Sequence, residues 1–389
     1  MIHDLLLVAQ IVTLGGTLAG IGYYFLCLWS ARQYLSYRAA AWPADNSSQR
    51  PPVSILKPLR GVDPSIYDSF RSHCLQDYPE YEIIFGVSEG HDPAIAVVEQ
   101  LQREFPARAI QLVVCPERLG TNLKVSNLVQ MLPHARYEHL IVNDSDIRVA
   151  PDYLERVVSP LAETSIGMVT CLYRGIPEPT LGSRLESLGI STDFAGGVLV
   201  ARCLEGVRFG LGSTLAFRSA DLSRVGGFEA LLDYLADDYQ LGQRIAALGK
   251  QVRLSEVIVD TFLPAYDFGS FFEHQLRWAR SVRDSRRWGY VGMALTYGLP
   301  WAVIAVITAQ AAGWSVALLG FTALLRLAVA LMVGKSALQD RFLLRLLPLL
   351  PVRDFVAVIV WCASFASDTI AWRGSYFHLR DGKLSPTDS

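Results

Sequence analysis

Long apolar runs stand at both ends of the chain and short ones recur through its middle, and the two patterns predict different elements. Leu5 to Trp29 is apolar and almost uncharged, long enough to cross a hydrocarbon core of roughly 30 Å. Arg32 and Arg38 follow it. A secretory signal peptide carries its basic residues before the apolar stretch and a small-residue cleavage site after it. The reversed order predicts a retained anchor whose C-terminal side faces the cytosol. At the other end, Tyr290–Ala309 and Gly313–Gly334 read as two further spans joined by an uncharged turn, with Arg283, Arg286, Arg287 and Lys335 at their flanks. Gln339–Arg353 alternates Arg with Leu-rich patches and Pro, a pattern for a segment lying in the interface. Phe355–Trp372 is a weaker fourth span containing Asp368. Counting spans puts the C-terminus outside, whereas Arg373, Arg380 and Lys383 favour the inside, a conflict that an oblique or re-entrant last span would resolve. Arg326 and Asp368 form a candidate intramembrane pair, with snorkelling or plain helix packing as the competing account.

Between these ends the period changes. Val53–Leu56, Tyr81–Val87, Ile110–Cys115 and His139–Val142 are short strand-like runs, and Ile66–Leu75, Pro93–Phe105 and Leu123–Leu132 have helical spacing. Strands alternating with helices predict an α/β domain with a mostly parallel sheet. Such sheets bind ligands at the carboxyl ends of their strands, and acidic residues follow Val87 and Val142 directly. The expected organisation is an N-terminal transmembrane anchor over 1–30, a linker over 31–50, a cytosolic domain over 51–288, a C-terminal membrane region over 289–375 and a tail over 376–389.

Composition narrows the class. The 389 residues are 51% hydrophobic and carry a net charge of −2, so no global basic field marks nucleic acid as a partner. The six cysteines are scattered without CxxC or metal-ligand spacing, as expected of reduced, mostly buried thiols. Oligomeric state has no signature in the sequence.

Candidate chemistry sits at strand ends. Asp144-Ser145-Asp146 closes the His139–Val142 run, and two carboxylates one residue apart can share a divalent cation, Mg2+ or Mn2+, with diphosphate oxygens. Asp92, after the second strand, is placed to bond a base or ribose; Asp92-Pro93 equally suits a helix N-cap followed by a first-turn proline. Asp237-Asp238 opens a helix, where either acid can serve as a general base or as a cap. Lys124 and Asn127 stand near a helix start, suited to phosphate or uridine contact or to solvent. His274-Gln275-Leu276-Arg277-Trp278 lies on a juxtamembrane amphipathic helix. There Arg277 can fork onto phosphates, and the pair can equally act as an interface anchor. Gly210-Leu211-Gly212-Ser213 and Gly226-Gly227-Phe228 read as tight turns.

Taken in order, a strand-end Asp, a DxD, a later acid pair before a helix and an Arg-Trp pair beside membrane spans resemble the family-2-like glycosyltransferases of the GT-A fold. Lys57-Pro58-Leu59-Arg60-Gly61-Val62-Asp63-Pro64, Asp92-Pro93-Ala94-Ile95, Asp144-Ser145 with Ile147-Arg148-Val149, and Ala236-Asp237-Asp238-Tyr239 are similar to the ceramide glucosyltransferase branch, family 21. Within it, Leu232–Gly242 looks most like the bacterial hopanoid-biosynthesis N-acetylglucosaminyltransferases. The resemblance implies an inverting, metal-dependent transfer from a UDP-sugar to a membrane lipid alcohol. The expected pair is UDP-N-acetylglucosamine and bacteriohopanetetrol, with UDP-glucose and ceramide as the alternative. It further implies a multi-pass protein of the bacterial inner membrane with its catalytic domain in the cytosol. Residue by residue, it implies Asp238 as general base, and Asp92, Lys124, Asp144, Arg277 and Trp278 at the donor. Asp144 and Asp146 would be at the metal, and Asp237 and His274 near the acceptor or its loop. His274 departs from the Gln or Arg usual three residues before the Arg-Trp pair, and a histidine there would add pH dependence near neutrality. The rival class, a non-catalytic membrane protein that binds nucleotide sugars, has no need of a base.

Overall fold

In the computed structural model the short apolar runs of the middle segment become strands of one eight-stranded sheet. These are β1 (Val53–Leu59), β2 (Tyr81–Val87), β3 (Ala109–Val114), β4 (His139–Val142), β5 (Ile147–Arg148), β6 (Ile166–Ile176), β7 (Leu215–Arg218) and β8 (Gln251–Phe262). Residues 2–41, 50–372 and 375–386 are described. The chain divides into a sheet unit (Ala40–Ile176, Glu205–Pro264 and Gly382–Ser389) and a helical unit (Met1–Ala39, Pro177–Leu204 and Ala265–Asp381).

The sheet order is β3-β2-β1-β4-β7-β6-β8-β5. β1 and β2 are buried at every position, as strands covered on both faces must be. Phe70 from the helix Ile66–Cys74 packs 4.7 Å from Phe85 of β2, and Ile55, Ile83, Ile141 and Val169 share the same core. Register decides where loops emerge. β1 runs parallel to β2 with Leu59 opposite Val87, and parallel to β4 with Leu56 opposite Val142. β7 runs antiparallel to β4, with Leu215 opposite Val142. The loops after β1, β2 and β4 and the loop before β7 therefore leave the sheet along one edge.

The helical unit holds most of the long apolar helices. Four among the described residues are long and apolar enough to cross a membrane: Asp4–Ala40, Leu181–Leu204, Gly313–Ala337 and Leu343–Ser364. The N-terminal helix continues to Ala41, into the stretch expected as a linker, and residues 42–49 lie outside the described residues. The expected span Tyr290–Ala309 is broken, its two helices meeting at 54°. Pro300 explains the break, since it lacks the N–H and its ring opposes the carbonyl four residues back. The expected last span, Phe355–Trp372, is corrected: the helix ends at Ser364, and Thr369–Trp372 is a strand antiparallel to Ser375–Arg380. Arg373, one of the charges used to orient the C-terminus, lies outside the described residues. Leu181–Leu204 was not anticipated as an apolar helix, because Arg184, Glu186, Asp193 and Arg202 interrupt its pattern.

Small residues and a buried arginine shape the packing of this unit. A side chain at Gly20 would strike the Gly298 backbone at 2.2 Å, the close approach that small residues permit between membrane helices. Arg326 does not pair with Asp368. It forks onto Asp354 at 2.7 and 3.0 Å and reaches Asp193 at 2.6 Å, while Asp368 pairs with Arg283. All six cysteines are free thiols, four of them buried.

Candidate active site

The loop after β4 begins with a fully buried Asn143, whose amide donates to Ser213 O at 2.6 Å and Tyr153 Oη at 2.9 Å. With that anchor fixed, Asp144 N donates to Gly212 O at 3.3 Å. The Asp144 side chain stays 41% exposed, so one carboxylate of the pair faces solvent. Asp146 turns the other way, accepting from Thr261 Oγ1 of β8. Desolvation, and next the charge of Asp144, push the Asp146 carboxyl up to about 7.

A second acidic group meets Asp144 from the opposite side of the loop before β7. Asp238 Oδ2 accepts from Gly212 N at 2.7 Å and its Oδ1 from Tyr239 N at 2.7 Å. A Cβ on Gly212 would lie 2.6 Å from Asp144 Oδ2 and 3.4 Å from Asp238 Oδ2. Only a glycine lets the two carboxylates converge there. The helix carrying Asp238, Asp237–Ala247, is held close by a second bare contact, since a Cβ on Gly242 would meet Gly210 N at 2.3 Å. Desolvation and then Asp237 push the Asp238 carboxyl up to about 6 against the pull of Lys124.

Lys124 joins the two groups. Its Nζ lies 2.8 Å from Asp144 Oδ1 and 3.2 Å from Asp237 Oδ2. Burial acts to lower its pKa, but Asp144, Asp237 and Asp238 outweigh burial and hold the ammonium above its ordinary range. Asn122 positions it: the side chain caps the Leu123–Met131 helix at Val125 N and donates to Tyr234 O at 2.8 Å. Asn127 is turned away, buried against β2 through Ser88 Oγ and Gly86 O.

Asp92 takes the helix-cap place foreseen for it. It accepts from Ala94 N at 2.9 Å as a helix cap, and its second oxygen accepts from Gly61 N at 2.9 Å. Gly61 has φ +71°, so this loop bend suits glycine. Asp63, two residues on, accepts from Ser145 Oγ, so the loop after β1 is tied both to Asp92 and to the Asp144–Asp146 turn. Beneath them the fully buried Lys57 donates to Asp144 O at 2.9 Å. Burial brings its ammonium down to about 7, although Asp146, Asp144 and Asp63 pull it up. Sequence reasoning quoted Lys57 and Asp63 in a motif without giving them a place. A lysine inside a mostly apolar strand was the available signal.

His274, Arg277 and Trp278 lie on the helix Phe268–Ser285 of the helical unit. His274 Nδ1 is 2.9 Å from Glu186, whose other oxygen accepts from Gln275 Nε2 at 3.3 Å. The His274 ring stacks on Tyr266 at 5.5 Å, and Trp278 packs on His274 at 5.4 Å and Phe194 at 6.0 Å. Glu186 is buried and stands 88 residues from its partner, a pairing that no spacing rule exposes.

Asp144 and Asp146 supply carboxylate oxygens, the kind of donor a hard divalent cation takes, but Asp144 faces solvent and Lys124 whereas Asp146 turns toward Thr261. Among the described residues no three His, Cys, Asp or Glu side chains form a complete ligand set, so diphosphate oxygens would have to complete it.

The family model of glycosyl transferase family 21 matches residues 12–385. Ceramide glucosyltransferase 3 of Caenorhabditis elegans is 23% identical over 94% of this chain and 82% of its own length. Ceramide glucosyltransferase 1 of the same organism is 26% identical over 59% of this chain and 49% of its own. A mannosyltransferase from Pyrobaculum calidifontis, solved in complex with GDP-Man and Mn2+, superposes with a TM-score of 0.56 at 22% identity, over 90% of this chain and 98% of that one. The sheet is that of a GT-A fold.

Proposed function

This chain belongs to glycosyl transferase family 21, and from that premise we propose that it moves a sugar from a UDP-sugar to the hydroxyl of a membrane lipid with inversion. The convergence of Asp144 and Asp238 on either side of Gly212, with Lys124 bridging to Asp237, carries this reading. In the proposed reaction the acceptor oxygen forms a bond to the anomeric carbon as the bond to the UDP oxygen breaks. The acceptor proton passes to Asp238, and UDP leaves. Two main-chain N–H donors fix both oxygens of Asp238, so the base is oriented before substrate arrives. Its raised pKa gives it more basic strength than an ordinary carboxylate while leaving it ionised at neutral pH.

Asp144 and Asp146 are the residues we assign to Mg2+ or Mn2+, which when bound would offset charge on the departing diphosphate. Lys124 holds a fixed positive charge beside Asp144. Asp92 orders the loop after β1 and is assigned to the donor nucleoside. Arg277 and Trp278 keep the donor-binding role implied by family resemblance, and Asp237 and His274 the acceptor-side role.

A ceramide-type acceptor with UDP-glucose draws support from the curated relatives. A hopanoid with UDP-N-acetylglucosamine draws support from the Leu232–Gly242 stretch. Purified protein given each donor with each lipid, read by UDP release and lipid mass spectrometry, decides between them. Asp238→Asn tests the mechanism: transfer should fall at least ~10³-fold with donor affinity within about threefold of the parent. Near-parental turnover would remove Asp238 from the base role. We place the protein in the bacterial inner membrane with the sheet unit on the cytosolic side.

A further inference from the structure

The C-terminal third of the apolar N-terminal helix and the last turn of the helix ending at Leu204 line a cleft of about 600 Å³ formed by Trp29, Arg32, Gln33, Ser36, Tyr37 and Arg202. The Arg202 guanidinium lies 4.6 Å from the Tyr37 ring centroid and 5.7 Å from that of Tyr34. A guanidinium held over a ring keeps its in-plane N–H donors for an oxyanion. Among the described residues no ion pair uses Arg32 or Arg202. Two arginines therefore face one cleft, neither of them in an ion pair with a described residue.

The surroundings say what kind of anion reaches them. The apolar run Leu5–Trp29 ends at the cleft. Phe25, Trp29 and Leu204 are 52%, 51% and 60% exposed on the same helices. Exposed apolar side chains running up to a tryptophan and then to arginines trace the passage from acyl chains to headgroups. A soluble anion would need none of that apolar surface. We infer that this cleft binds the phosphodiester headgroup of an anionic phospholipid, with the acyl chains lying along the exposed apolar faces. The site shares no residue with the proposed reaction.

The test uses the full chain purified in detergent and reconstituted into phosphatidylcholine nanodiscs with or without phosphatidylglycerol. Native mass spectrometry counts the lipids that stay bound. Arg32→Gln with Arg202→Gln should weaken phosphatidylglycerol retention on the order of ten- to thirtyfold, with donor binding unchanged. Ser36→Trp, which fills the cleft and leaves both charges, should weaken it as well. Arg341→Gln with Arg345→Gln, which removes two basic residues elsewhere, should leave retention intact. Inorganic phosphate in excess should not displace the lipid. Unaltered retention in both cleft variants would overturn the inference. So would an equal loss in the distal pair, which would mean diffuse attraction, or displacement by free phosphate.

Discussion

Asp238 is bound at both oxygens by main-chain amides and still has its pKa lifted to about 6, because desolvation and Asp237 outweigh Lys124. A group that must accept a proton works only while ionised, so its raised pKa moves the acid limit of activity upward. With cation and both substrates saturating, the rate of UDP release should be flat from about pH 7 to 8 and fall about tenfold per unit below about pH 6. Asp237→Asn removes a negative neighbour and frees Lys124, so the fall should shift to lower pH. A profile that does not move would tie the limit to another group. At this scale the sequence was partly readable. Asp144 and Asp146 stood out because they follow a short apolar strand, and Lys124 because it stands near a helix start. Glu186, Lys57 and Asp63 could not, since their partners stand 88, 87 and 82 residues away and meet them only in the folded chain.

The elements that bring the acids together are the loop before β7 and the helix opened by Asp237, and both depend on missing side chains. Gly212→Ala sets a Cβ 2.6 Å from Asp144 Oδ2. The carboxylate must turn away, so kcat/KM should drop about 10²-fold. Thermal stability should change by no more than about 1 kcal/mol, since the loop edge is open and the core is untouched. Equal loss of activity and of the folded state would make Gly212 a folding requirement instead. Sequence reasoning read Gly210–Ser213 only as a turn, because a glycine's reason for being bare lies in what faces it. The strands were read well where apolar residues dominate, as in β2, whose Glu82 is its one charged position. The Leu181–Leu204 helix was missed because Glu186 and Asp193, which pair inside the fold, look like solvent-facing charges in the sequence.

Across the whole molecule, each unit has its own internal brace. In the helical unit Arg326 is 4% exposed between Asp354 and Asp193. Arg326→Met leaves the buried Asp354 without its cation and Asp193 with Arg353 alone, a loss of about 3–5 kcal/mol, so the detergent-solubilised protein should melt well below the parent. Adding Asp354→Asn should recover part of the loss; no recovery would show that the guanidinium acts through packing rather than charge. In the sheet unit the brace comes from the end of the chain. Leu235 N donates to Gly382 O at 3.0 Å, Leu384 N donates to Asp233 O at 2.7 Å, and the Lys383 ammonium sits 5.3 Å over the Tyr234 ring. These contacts grip the loop that leads into Asp237 and Asp238. Removing Gly382 onward should leave the protein folded but slow the turnover of bound substrate severalfold, as measured by single-turnover UDP release. Laboratory practice follows from this: an affinity handle or fluorescent fusion belongs at the amino terminus, because one attached at the other end pulls on the loop that holds the base.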